Sequence, residues 1–121
     1  MAFEKILVVD DSPTELNLMT TPLKKEGYQI ITAVDGEEAL EKAKSENPAL
    51  IVLDVILPKK NGFQVCRQLK TAPDTKDIKI LMVTSKSQDT DRFWGLKQGA
   101  DEYLAKPFAE DELLSNVAKL L

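Results

Sequence analysis

Four short apolar runs in this chain end on residues that can do chemistry. Ile6-Leu7-Val8-Val9 runs into Asp10-Asp11, and Leu50-Ile51-Val52-Leu53 runs into Asp54. Ile80-Leu81-Met82-Val83 ends at Thr84, and Tyr103-Leu104-Ala105 ends at Lys106-Pro107. If each run is a buried parallel strand, these polar residues emerge at one edge of one sheet, where open α/β folds build their sites. Three carboxylates, one hydroxyl and one amine then share that edge. Bare carboxylates brought together raise one another's pKa, and a divalent cation removes the conflict. Mg2+ takes oxygen ligands in octahedral geometry and keeps several waters. The same ion can grip a phosphoryl oxygen and offset its developing charge. In this reading Asp54 is the nucleophile, attacking phosphorus in line. Lys106 pairs with the transferred phosphoryl group as a point charge, and Thr84 donates a hydroxyl hydrogen bond to it.

The elements that must position these residues alternate strand and helix. A first strand covers about residues 5–10. Ser12-Pro13-Thr14-Glu15 reads as a helix start: Ser12 caps, Pro13 suits the first helical position and Glu15 can close a capping box. That helix runs to Gly27 and is expected to kink or loosen at Pro22, which lacks a backbone donor. A strand over 28–33, the Asp35-Gly36 turn, a helix bearing Ala39, Leu40 and Ala43 on one face, and an Asn47-Pro48 stop follow. After the strand at 50–53 comes a polar Lys59-Lys60-Asn61-Gly62 loop, then a helix with Phe63, Val65, Cys66 and Leu69 as its apolar contacts. A charged turn over 71–77 leads to the fourth strand. The next helix is capped by Asp89 or Thr90 and ends at Gly99, with Phe93 and Leu96 toward the core. Trp94 lies roughly 100° around that helix, against a neighbour or a partner. The strand 102–105 leads into a last helix striped by Leu113, Leu114, Val117, Leu120 and Leu121. The strands are nearly continuous apolar runs, the sign of a parallel sheet covered on both faces.

Composition narrows the function. The 121 residues suit one domain, and 43% hydrophobic residues suffice for a core. Sixteen basic against twenty acidic residues leave a net charge of −4, which argues against nucleic acid as a partner. No apolar run approaches the roughly 20 residues that cross a membrane, and no secretory signal is visible at the start. The lone Cys66 cannot form an internal disulfide, so a reducing cytoplasm is the simplest location. With no histidine, the chain cannot be a histidine kinase, and any phosphohistidine donor must be another molecule.

The chain resembles the receiver domain of two-component response regulators, the CheY-like fold, over essentially its whole length. The resemblance is carried by Leu7-Val8-Val9-Asp10-Asp11-Ser12, Ala33-Val34-Asp35-Gly36-Glu37-Glu38-Ala39-Leu40, Leu53-Asp54-Val55-Ile56-Leu57-Pro58, Val83-Thr84-Ser85, Gly99-Ala100-Asp101-Glu102-Tyr103-Leu104 and Lys106-Pro107-Phe108. It implies a (βα)5 doubly wound α/β fold with a parallel five-stranded sheet in the order 2-1-3-4-5. It implies that Asp54 accepts the phosphoryl group, and that Asp10 and Asp11 with Asp54 and the Ile56 carbonyl bind Mg2+ or Mn2+. Thr84 and Lys106 match the phosphate-sensing pair. Tyr103 matches the aromatic switch that turns inward as Thr84 moves toward the phosphoryl group, and Lys106-Pro107 matches a bond that is usually cis. The implied partners are a histidine kinase or histidine phosphotransfer domain and a downstream effector that reads the fourth helix, fifth strand and fifth helix. The expected form is a monomeric, stand-alone receiver over residues 1–121. The segment Asp91–Gly99 looks like stand-alone receivers of chemotaxis-like systems that drive pilus or phototactic motility. Departures from the pattern are Pro22 in the first helix and Asn61-Gly62 where Asp-Gly is common. Ile56 and Lys86 fill the positions that tune access of water to the acyl phosphate.

Other readings compete. Singly, each strand-end carboxylate is as well read as a solvated side chain, Thr84 as a turn residue, Lys106 as a surface lysine and Lys59-Lys60 as a solvated loop. Tyr103 also suits plain strand packing, and Cys66 a small buried apolar site. A hydrolase of the haloacid dehalogenase type wants an Asp-x-Asp pattern after the first strand, where this chain has adjacent acids. A flavodoxin-like flavin site wants a glycine- and hydroxyl-rich phosphate loop there, and Asp10-Asp11 would repel the phosphate. A phosphate sink, and a receiver-shaped scaffold that is never phosphorylated, are the remaining alternatives to a switch.

Overall fold

Every residue of Ile6–Val9, Leu50–Leu53 and Ile80–Thr84 is buried, as continuous apolar runs in a sheet covered on both faces must be. The computed structural model describes residues 4–85 and 88–121; Lys86 and the Met1-Ala2-Phe3 start lie outside the described residues. The elements are β1 (Lys5–Val9), α1 (Pro13–Lys25), β2 (Gln29–Ala33), α2 (Gly36–Glu46), β3 (Leu50–Leu53), α3 (Gly62–Thr71), β4 (Lys79–Thr84), α4 (Asp89–Lys97), β5 (Glu102–Ala105) and α5 (Glu110–Leu120). The strands form one parallel sheet in the order β2-β1-β3-β4-β5. The expected doubly wound α/β architecture and strand order are both present.

The two-residue period of the strands sorts side chains onto two cores. Leu7, Val9, Ile51, Leu53, Ile80 and Met82 face α2, α3 and α4, where they meet Ala39, Ala43, Val65, Cys66 and Leu69. Ile6, Val8, Leu50, Val52, Leu81 and Val83 face α1 and α5, where they meet Met19, Leu23, Leu113 and Val117.

Local signals account for most helix ends. Ser12 caps α1, its hydroxyl accepting from the Glu15 amide at 3.3 Å, and Pro13 takes the first turn. Pro22 is buried within a helix that runs on to Lys25. Asp35 caps α2, and Asn47 ends it in the left-handed conformation at φ 45° before Pro48. Asn61 and Gln64 close a capping box on α3.

Two expectations fail at α4. Its N-cap is Gln88 with no side-chain cap bond, so neither Asp89 nor Thr90 plays that part. Phe93 and Leu96 are exposed, at 63% and 39%, not core. The reason is Gly95, the one buried residue of the helix, which lies against Met82 and Tyr103. A helix that meets the sheet through a glycine turns the residues on either side of it outward. Trp94 shares that outward surface at 50% exposure.

Candidate functional site

The sheet ladder itself places the polar residues. The Asp10 amide donates to Ala33 O at the end of β2 (3.1 Å), and the Asp54 amide donates to Val9 O at the end of β1 (3.2 Å). The Lys106 amide donates to Thr84 O at the end of β4 (2.9 Å). Each residue is thus held on the last rung before its chain leaves the sheet, and the side chains of three loops converge. The Lys106-Pro107 peptide bond is cis.

Lys106 Nζ is the centre of the cluster. It lies 2.7 Å from Asp10 Oδ2, 3.1 Å from Glu15 Oε1 and 3.2 Å from Asp54 Oδ2. Asp10 and Asp54 are buried, and their second oxygens accept backbone amides. Ser12 N donates to Asp10 Oδ1 at 3.0 Å, and Ile56 N donates to Asp54 Oδ1 at 3.2 Å. Thr84 is fully buried and its side chain hydrogen-bonds the Asp54 carboxylate. Asp54, Thr84, Lys106 and Asp10 are therefore brought together. Asp11 is exposed beside them, and the described residues contain no group of three acids gathered as a metal cage. The Ile56 side chain is exposed, while its amide belongs to the Asp54 turn. Tyr103 is buried on β5 opposite Met82, with its ring against Gly95 of α4.

The charges pull against burial. Desolvation pushes the Asp54 carboxyl up from its ordinary range, with the Asp10 charge adding to it. The Thr84 bond, the Lys106 charge and the Ile56 amide oppose that rise. Burial works against the Lys106 ammonium, but the bond to Asp10 and the charges of Asp54 and Asp10 outweigh it, and its pKa is raised. Both pKa values rise, but the Lys106 rise favours its charged form, since several carboxylates serve one lysine, whereas the Asp54 rise disfavours its charged form.

Sequence reasoning missed the part Glu15 plays. It assigned Glu15 to the α1 capping box, yet the Ser12 amide is already taken by Asp10 and the Glu15 carboxylate reaches Lys106 instead. A further unanticipated contact is Gly62. A Cβ there would lie 2.2 Å from Asp54 O, so only glycine lets α3 start directly against the Asp54 strand end. Lys59 is exposed, as a solvated loop residue should be, and at φ 69° its ammonium lies 3.7 Å from both Asp35 and Glu37 at the start of α2.

The donor set contains only hard oxygens, carries more negative than positive charge, and opens on a cavity of about 1000 Å3 lined also by Asp11, Leu18 and Phe108. Those residues fit a small divalent cation. A parallel doubly wound sheet with this cluster at its carboxyl edge is an α/β domain whose site lies outside the strand ends. The chain belongs to the response regulator receiver domain family, whose model matches residues 6–118. It is 42% identical over 117 residues to Protein PilH of Pseudomonas aeruginosa, covering 97% of each chain. It is 48% identical over 118 residues to the alkaline phosphatase synthesis transcriptional regulatory protein PhoP of Bacillus subtilis, covering 98% of this chain and 48% of that one. It thus spans about half the length of that transcriptional regulator. Among solved structures it is similar to the chemotaxis response regulator CheY4 of Vibrio cholerae, with TM-score 0.92, 32% identity and coverage of 99% and 100%. It is also similar to the receiver domain of a sensor histidine kinase from Pseudomonas aeruginosa with a magnesium ion coordinated in its active site cleft. That match has TM-score 0.90 and 28% identity, with 98% of each chain covered. The chain is a receiver domain of the two-component type.

Proposed function

We propose that this receiver accepts a phosphoryl group on Asp54 and that its phosphorylation state changes its affinity for a partner. The observation that carries the residue assignment is the junction at Asp54. One buried carboxylate meets both the Lys106 ammonium and the Thr84 hydroxyl and lines a cavity it shares with Asp10, Asp11 and Lys106. An Asp54 oxygen supplies the electron pair that forms the new P–O bond, and the donor leaves with the pair from the bond that breaks. The donor that family membership implies is a phosphohistidine on a histidine kinase or phosphotransfer domain, and it must belong to another molecule because this chain has no histidine. Lys106 holds the negative charge of the transferred group. Mg2+ or Mn2+, held by Asp10, Asp11 and Asp54 with the Ile56 carbonyl, would offset the phosphoryl charge.

Thr84, bonded to the acceptor, lies at the end of β4, and Tyr103 stands on the adjacent β5 opposite Met82. Phosphorylation biases a two-state equilibrium when Thr84 follows the phosphoryl group and Tyr103 packs behind it. The same chemistry gives the domain self-phosphorylation from small acyl phosphates and self-dephosphorylation by water, and no turnover of an external metabolite. In this reading the receiver is monomeric and its state is read by a separate effector; the chain covers 97% of Protein PilH. Cytoplasmic location agrees with the family. No described helix is long and apolar enough to cross a membrane.

Intact mass after incubation with acetyl phosphate and Mg2+ tests the acceptor. One phosphoryl adduct is expected on the wild type, absent without metal and absent in Asp54→Ala. An adduct that persists in Asp54→Ala, or none on folded wild type beside a working receiver control, overturns the assignment. In Thr84→Ala the adduct should form while partner binding no longer responds to it.

A further inference from the structure

Glu15 stands at the third position of α1. The residues in the equivalent place in three other helices turn back on their own helix start. Glu38 accepts from the Val34 amide at 2.8 Å, Gln64 from the Asn61 amide at 3.1 Å and Glu112 from the Ala109 amide at 2.8 Å. Glu15 does not, because Asp10 Oδ1 already receives the Ser12 amide. Its carboxylate crosses to the β5–α5 loop and takes Lys106 Nζ at 3.1 Å.

The consequence follows from counting donors. An ammonium has three N–H groups, and Lys106 has three carboxylate partners. Asp10 and Asp54 take two of those donors in hydrogen bonds, and Glu15 Oε1 adds an ion pair at 3.1 Å on the ammonium that an incoming phosphoryl group must reach. The partners are not alike. The Asp10 and Asp54 side chains are 2% and 9% exposed, whereas that of Glu15 is 39% exposed. Glu15 is the partner that water can solvate once it lets go, so its release is the least costly way to free an N–H.

We propose that Glu15 is a positioning residue that restrains phosphoryl acceptance: it holds Lys106 in the unphosphorylated state and must release it before the ammonium can meet the phosphoryl group. This rests on the reading of Asp54 as acceptor. Glu15 neither gains nor loses a covalent bond. It competes with the phosphoryl oxygens for one N–H of Lys106.

The test is the rate of Asp54 phosphorylation by acetyl phosphate in wild type, Glu15→Gln, Glu15→Asp and Glu110→Gln. Glu110 begins α5 and makes no ion pair with Lys106 among the described residues. Glu15→Gln and Glu15→Asp should both react roughly three- to fivefold faster, the range available from a partly exposed ion pair. The shorter Asp keeps the charge but loses the reach, so its acceleration separates contact from field. Glu110→Gln should leave the rate unchanged. A second readout needs no donor: the Lys106 ammonium signal in 15N NMR should exchange with solvent faster in both Glu15 variants. Equal rates in wild type and Glu15→Gln, or equal acceleration by Glu110→Gln, overturn the restraint while leaving the acceptor assignment standing. Wild type that takes no phosphoryl group at all overturns the acceptor assignment itself.

Discussion

Gly95 and the Tyr103 ring are in direct apposition: a methyl group on Gly95 would lie 2.9 Å from Tyr103 Cδ2 and 3.0 Å from Cε2. The ring therefore fills the space where a helix residue would normally place a side chain. Any movement of Tyr103 is felt by α4, and any shift of α4 is felt at the ring.

Gly95→Ala should consequently destabilise the domain by about 1–3 kcal/mol, the usual cost of overpacking. Met82 Sδ, also 2.9 Å from the added carbon, leaves no second direction for relief. Urea unfolding would measure the loss. A double-mutant cycle with Tyr103→Ala should show coupling, because the smaller side chain vacates part of the contested space.

Gly62→Ala should act on the site and the fold together. The atoms in its way are backbone, Asp54 O at 2.2 Å and Val55 Cα at 2.8 Å, and neither can rotate aside. We expect a loss of at least about 2 kcal/mol and slower phosphorylation of the folded fraction. Circular dichroism melts and adduct formation by mass would report the two effects separately.

Lys106→Met should strand Asp10 and Asp54 as buried carboxylates without their cation. Breaking a buried pair from one side costs roughly 3–5 kcal/mol. Because the Asp54 pKa is already raised in the fold, the penalty belongs to the ionised form. It is present above the folded-state pKa and relieved as pH falls toward the unfolded value. The gap between variant and wild type in urea midpoint should accordingly narrow on acidification.

At alkaline pH the wild type should lose stability through two other groups. Burial pushes the Cys66 thiol from 9.0 to about 12 and the Tyr103 phenol from 10.0 to about 12. The unfolded chain releases those protons first, the native state binds more of them, and stability falls as pH rises. The decline should begin near the unfolded thiol value and steepen above the unfolded phenol value. Cys66→Ala should remove its first part, as urea midpoints at pH 8, 9 and 10 would show. The native thiol should also resist alkylation at neutral pH.

What the sequence disclosed follows its physics. Buried strands are continuous apolar runs, so β3 and β5 were legible to the residue and β1, β2 and β4 to within a residue or two. Strand-end chemistry made Asp10, Asp54, Thr84 and Lys106 visible as a set, since each closes such a run. Ile56 was named by resemblance alone and Asp11 also by its place after the first apolar run; in the fold both are exposed. Glu15 was misread because a capping box is a local signal, while the competing Asp10–Ser12 bond and the approach of Lys106 arise only once the strands are assembled. Phe93 and Leu96 were misread because spacing reveals an apolar face but not which residue touches the sheet. Gly95 decided that, through contacts with Met82 and Tyr103 on the two strands that flank α4.

Arg92 has an effect beyond joining α4 to β5. β5 is a border strand of the sheet, with β4 as its only neighbour in the strand order. The Tyr103 carbonyl accepts from Arg92 Nη1 at 2.9 Å, and the Tyr103 amide donates to Glu102 Oε1 at 3.1 Å. Arg92 and Glu102 are themselves paired at 3.0 Å, and Lys119 of α5 lies 3.7 Å from Glu102. The Tyr103 amide and carbonyl, at the middle of the edge that would template an added strand, are thus occupied by the domain's own side chains. A partner that reads this face must recognise its shape and side chains, because backbone-to-backbone augmentation is closed to it. Substituting Arg92 would unseal that border and invite association of a kind the signalling state does not control.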